Sequence, residues 1–216
     1  MIKENIEALL KKLTTSHIEE QLNYKLDKVI EEQKAKWEND KYYFDVEEAY
    51  KLYNFLSKLI LDKGKKGQKI KLLKFQFKIL TGILCVRCRD TGFRRFKEAH
   101  LNIGRKNGKG SLVAWIIIYL YFTDSTFGAE YIIVANDIKQ ATNLFNTIMI
   151  TIKANKTLKK YCKITESKKL IYRKSTNSYL RVLANEGSNL DSYATYIAVL
   201  DKVLSPCIVI YIGKFD

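Results

Sequence analysis

The chain has 216 residues, 47% of them hydrophobic and 12% aromatic, with a single proline. That composition excludes disordered and low-complexity classes and allows one large domain, or a core domain with an extension. Net charge is +15 but uneven: −2 over residues 1–60, +12 over 61–111 and +5 over 112–216. The middle stretch either draws polyanions by counterion release or presents a solvated lysine-rich face.

From the N-terminus, residues 1–38 read as helix. Ile6, Leu9, Leu10 and Leu13, then Leu22, Leu26, Val29 and Ile30, recur at three- and four-residue steps, and Thr14-Thr15-Ser16 marks a break or a second cap. The opening residues carry acids and no apolar run, so no signal peptide is expected; four cysteines without an export signal point to reduced thiols and a cytosolic protein. A second amphipathic helix is predicted across Val46–Leu61, with Ala49, Leu52, Tyr53, Leu56, Leu59 and Ile60 inward, and 62–67 reads as a polar turn. From residue 98 the pattern changes. Glu98–Ile103 reads as a strand, Lys109–Phe122 as a helix, Tyr131–Ala135 as a β-branched strand and Asp137–Ile152 as a helix, with Tyr179–Leu183 and Tyr196–Leu200 as further strands. This alternation predicts an α/β fold with a mostly parallel sheet covered on both faces. The expected division is a helical segment, 1–67, and a core, 68–216. The longest apolar run, Leu112 to Phe122, falls short of the roughly 20 residues that a membrane-spanning helix needs.

The stretch Gly104-Arg105-Lys106-Asn107-Gly108-Lys109-Gly110-Ser111 joins a predicted strand to a predicted helix. Phosphate binding asks for this order: glycines let backbone amides close around an anion, the helix N-terminus adds positive dipole, and the lysine reaches the terminal phosphates. The usual text GxxxxGK[ST] is missed narrowly. Three residues, not four, separate Gly104 from Gly108, and Gly110 stands at the hydroxyl position with Ser111 one place later. A Gly-rich turn of any α/β protein is the plain alternative. Asp201, closing the apolar run Tyr196–Leu200, sits where a nucleoside triphosphatase places the acid that holds magnesium.

Taken together these residues resemble the N-terminal ATPase domain of the large terminase subunit of tailed bacteriophages, the motor that packages viral DNA. The resemblance rests on Arg105-Lys106-Asn107-Gly108-Lys109, matching a P-loop variant without the usual leading glycine, and on the upstream Asp90-Thr91-Gly92-Phe93-Arg94-Arg95-Phe96. Tyr42–Asp45 with its helix, Leu72–Gln76, and Asn185–Leu190 before the last strand extend it over about residues 40–202. It implies a P-loop core preceded by a helical extension, with ATP and Mg²⁺ as cofactors. In it Gln76 would read the adenine edge and Lys109 would hold the β- and γ-phosphates. Lys106, Asn107, Gly108, Gly110 and Ser111 would line the cradle, and Arg105 would reach the γ-phosphate as a catalytic group. Asp201 would be the Walker B acid, sharing the metal with Ser111. The partners implied are double-stranded DNA, the terminase small subunit, the portal protein and other copies of the chain, in the bacterial host cytoplasm and away from membranes.

Two features depart from the pattern. Lys202 follows Asp201 where the family has a water-orienting Glu, and an ammonium there cannot accept a proton. The stretch from Leu204 to Asp216 does not resemble the family, and the nuclease half is not in the sequence. The expectation is therefore a core incomplete at its C-terminus, a truncated or frameshifted prophage fragment with weak or no turnover. The competing readings are another DNA-dependent P-loop motor, such as a helicase, and a non-enzymatic basic nucleic-acid-binding protein. Among lesser signals, Cys85-Val86-Arg87-Cys88 is a lone CxxC without a second pair, and His17 and His100 lack metal or triad spacing. Trp115, Tyr119 and Phe122 read as core. Arg87, Arg89, Arg94 and Arg95 are candidates for DNA phosphate or for the surroundings of the nucleotide.

Overall fold

The computed structural model describes residues 24–61, 67–104, 107–135, 138–184, 195–201 and 208–213. The chain divides into a smaller unit, residues 1–57 with 71–95, and a larger one, residues 58–70 with 96–216.

In the smaller unit the 3.6-residue period produces α1 (Leu26–Trp37), which buries Val29, Ile30 and Gln33. Gln33 is buried at no cost in polar satisfaction: its Nε2 donates to the Lys78 carbonyl at 2.8 Å and to Thr81 Oγ1 at 3.0 Å. A short strand, β1 (Tyr42–Phe44), pairs antiparallel with β2 (Val86–Cys88). Between them lie α2 (Val46–Lys58) and α3 (Lys74–Leu84). Asp45 caps α2, its Oδ1 accepting the Glu48 amide hydrogen at 2.9 Å. The α2 face of Ala49, Leu52 and Leu56 is buried as the spacing predicts. The helix stops at Lys58, short of the predicted Leu61. The next backbone groups are engaged elsewhere: Leu59 accepts from the Ile70 amide and Leu61 donates to Gln68. Of the long helix expected over residues 1–38, α1 is the described part; residues 1–23, with the Thr14–Ser16 break, lie outside the described residues, as does the 62–66 turn.

The larger unit is built on a seven-stranded sheet. Its elements in chain order are β3 (Glu98–Leu101), α4 (Lys109–Thr123), β4 (Glu130–Ala135), α5 (Ile138–Ala154), α6 (Lys156–Lys160), β5 (Cys162–Thr165), β6 (Leu170–Arg173), β7 (Ser178–Ala184), β8 (Thr195–Asp201) and β9 (Ile208–Ile212). Across the sheet the order is β3-β9-β8-β4-β7-β6-β5. The α/β class holds, and the parallel expectation needs correction. Among the described residues only β8-β4-β7, at the centre, pair in parallel. The remaining four pairs, β3-β9, β9-β8, β7-β6 and β6-β5, are antiparallel. The reason is local: β5, β6 and β7 follow one another through tight turns that leave no room for a crossover helix, and β9 comes after β8 within seven residues.

Tyr131, Ile132, Ile133, Val134 and Ala135 are all buried, without the alternation of a one-sided strand, so both faces at the centre are covered. Helix α4 is buried from Leu112 to Tyr121 on every side, which explains its lack of a polar stripe. Within it the Tyr121 hydroxyl donates to the carbonyls of Ile171 (3.1 Å) and Ser178 (3.2 Å), tying the helix to β6 and β7. Burial raises that phenol well above its ordinary pKa, so it stays a donor. Trp115 and Tyr119 are core, as predicted. No helix among the described residues is long and apolar enough to cross a membrane.

Candidate functional site

Register places the ends of the central strands. Leu101, the last residue of β3, pairs with Ile208, and Asp201, the last residue of β8, pairs with the same Ile208. Because β9 runs antiparallel to both, β3 and β8 point the same way. Their carboxyl ends stand level, about 10 Å apart, two strand spacings across β9. Ala135 of β4 lies opposite Asp201, and Ala184 of β7 opposite Ala135. Four strands thus finish at one edge of the sheet, the edge at which open α/β folds bind their ligands.

The chain leaving β3 returns into α4 at that edge. Gly108 has φ 73° and ψ 20°, a left-handed conformation that costs an L-residue about 1 kcal/mol or more. It precedes Lys109, the first helical residue, and its carbonyl accepts from the Leu112 amide at 3.0 Å, opening the helix. Gly108 has no side chain to cap this N-terminus, and the first-turn amides of Lys109, Gly110 and Ser111 have no intrahelical acceptor. A Cβ added at Gly104 would lie 3.2 Å from Asn107 Nδ2, while one added at Gly110 would meet nothing within 4 Å. Asn107 and Gly110 are exposed, and Lys109 and Ser111 are half-buried. Open amides at a helix start, with a lysine in the first turn, suit a phosphate chain. Arg105, Lys106 and Lys202 lie outside the described residues, as does Asn185–Leu190, and Asp201 is placed by its backbone alone.

Gln76 lies in the first turn of α3, in the smaller unit, and is buried. Its Oε1 accepts the Leu73 amide hydrogen at 3.0 Å, so the carbonyl oxygen of this side chain caps its own helix. The arginines that the sequence offered to phosphate are largely engaged within that unit. Arg87 Nε donates to Asp45 Oδ2 at 2.8 Å, and Arg89 Nε donates to the Asn39 carbonyl at 2.9 Å. The Arg95 guanidinium lies over Tyr42, 4.1 Å from the ring centre, and over Trp37 at 5.4 Å. Arg94 is half-buried. Among the described residues no group of three His, Cys, Asp or Glu side chains is placed to hold a metal. Burial, with Glu48 and Asp45 nearby, pushes the Cys85 thiol well up, away from the thiolate that zinc needs. His100 contacts Glu98 at the surface. What the sequence reading did not assign is β9, the strand between the two halves of the site; its signal was the run Ile208-Val209-Ile210-Tyr211-Ile212.

With this edge in place, comparison with known proteins is direct. The sequence pattern of the family "Terminase large subunit, ATPase domain" matches residues 74–205. The chain belongs to that family. The terminase match takes in Gln76, the whole of Gly104–Ser111 and Asp201, and ends just past the last. Among solved structures, the large terminase of the HK97 bacteriophage matches with a TM-score of 0.55 at 21% sequence identity, over 70% of this chain and 30% of that one. That likeness concerns the fold, and this terminase chain spans about a third of the length of the solved protein. A search of curated proteins found no match.

Proposed function

We propose that this chain is the ATP-binding part of a phage DNA-packaging motor and that it binds Mg²⁺-ATP at the carboxyl edge of its sheet. One observation carries the reading: the left-handed Gly108 and Lys109 open a helix at the same edge where Asp201 ends its strand, with one strand between. In it Lys109 holds the β- and γ-phosphates, with the amides of Asn107, Gly108 and Gly110 around them and Lys106 adding charge. Arg105 faces the transferring phosphoryl group. Asp201 and Ser111 hold the magnesium, the serine serving because Gly110 occupies the usual hydroxyl position. Bound magnesium would neutralise developing phosphate charge. Gln76 contributes to adenine recognition through the part of its amide not spent on Leu73. Family membership supports the wider setting of double-stranded DNA, a small terminase subunit, a portal ring and further copies of the chain, in the cytoplasm of a bacterial host. Lys202 beside Asp201 argues for slow turnover.

ATP-dependent thermal stabilisation is the test. At ATP a hundred times above its Kd the folded state gains about 2.7 kcal/mol. For a chain of this size that is a rise in Tm of roughly 5–10 °C, and Lys109→Ala should abolish it. A protein that binds duplex DNA with no response to ATP or to Lys109 would be the non-enzymatic basic protein instead. ATP binding that drives strand separation would favour a helicase.

A further inference from the structure

We propose that the outer hairpin of the sheet, with α6 beside it, is a contact surface for the phosphate backbone of a nucleic-acid duplex. Residues 153–174 contain nine Lys or Arg and one acid, a net of +8, while the rest of 112–216 sums to −3. Averaging over the C-terminal half hides this concentration. In the fold these residues form the end of α5, α6, β5, β6 and the turn after it, and β5 is the outermost strand, at the opposite side of the sheet from β3. Lys156, Lys159, Lys160, Lys163, Lys168 and Lys174 are exposed. The segment's one carboxylate, Glu166, is taken by Lys153 at 2.5 Å. Arg173 points the other way. It donates to the carbonyls of Tyr121 (2.5 Å) and Asp124 (3.0 Å) at the end of α4 and fixes the hairpin on the core.

Lysines on an edge strand also deter edge-to-edge pairing, but that accounts for Lys163 alone, since it is the one lysine on β5. The others extend over α6 and both turns of the hairpin region. On α6, Lys156 faces Lys159 and Lys160 at three- and four-residue spacing, a like-charge arrangement that destabilises a helix unless an anion neutralises it. Arg87, Arg89 and Arg95 of the middle stretch, by contrast, are engaged inside the smaller unit. The choice of a duplex as the polyanion rests on the packaging-motor reading above.

The experiment measures binding of a random-sequence 30-base-pair duplex across 50–200 mM salt. It compares the full chain, the variant Lys159→Gln/Lys160→Gln/Lys163→Gln, and a control neutralised at three exposed lysines of the smaller unit, Lys28→Gln/Lys41→Gln/Lys71→Gln. The proposal expects the first variant to lower the slope of log K against log salt by about 2–3 and to weaken binding at least tenfold at low salt, with the control within threefold of wild type. An equal loss in both variants would overturn it. So would unchanged duplex affinity with new self-association, which would assign these lysines to edge protection. Loss of binding to phosphatidylserine vesicles without loss on the duplex would overturn it as well. ATP-dependent thermal stabilisation is followed in the same samples: if it persists while duplex binding ignores the lysines, only this surface fails. If it is absent while the lysines still govern duplex binding, the nucleotide reading fails and the surface stands.

Discussion

A lysine follows Asp201 at the end of β8. Phosphoryl transfer to water needs a group that accepts or orients a proton, and an ammonium does neither. Replacing it by the glutamate that the sequence resemblance implies there, Lys202→Glu, should raise steady-state ATP hydrolysis at least tenfold over a slow wild-type rate while leaving ATP affinity within a few-fold. Equal turnover in the two proteins would show that residue 202 is not what limits the chemistry. At the same scale Gly108 illustrates how a single residue shapes the site. Its left-handed backbone, φ 73°, turns the chain into α4, a conformation to which glycine alone is indifferent. The sequence exposed that position because strand, Gly-Lys and apolar helix follow one another. It did not expose the Gln76 contact with Leu73, since a side chain that caps its own helix and one that reads a base look the same in one dimension.

Among the elements, β9 has the largest consequence. β3 pairs with β9 and β9 with β8, so the strand that leads into Gly104–Ser111 joins the sheet through residues 208–212. Ile210 sits at the middle of that junction, opposite Ala99 on one side and Val199 on the other, and is fully buried. Ile210→Pro removes the residue's backbone donor and places a ring in a central strand, where proline is essentially excluded. The expected outcome is a loss of several degrees in Tm and of ATP-dependent stabilisation together. Full ATP binding by a stably folded Ile210→Pro protein would mean that the loop is positioned without β9. The central elements were legible because β4 and α4 are long, apolar and strongly patterned. The hairpin β5–β6 was not: Cys162–Thr165 and Leu170–Arg173 are four residues each, too short for a period to register. β9 carries a plain β-branched run, but a run alone does not tell direction.

For the molecule as a whole, charge and sheet topology organise the account. The dense positive charge of residues 61–111 led the sequence reading toward DNA through its arginines, whereas the fold engages Arg87, Arg89 and Arg95 with Asp45, the Asn39 carbonyl and two aromatic rings. Only three-dimensional neighbours distinguish an arginine that binds a partner from one that holds a small unit together. The terminase family was legible because RKNGK and GFRRF are specific strings; the mixed sheet was not, because strand direction is set by connections rather than by composition. The central claim is that a triphosphate lies against Asn107, Gly108 and Lys109 at the common edge of β3 and β8. The most direct measurement is a crystal structure with a non-hydrolysable ATP analogue and magnesium. The account predicts phosphate density within hydrogen-bond distance of the Lys109 and Gly110 amides and of the Lys109 ammonium, on the side facing Asp201. Nucleotide density elsewhere, or none at saturating analogue, would contradict it.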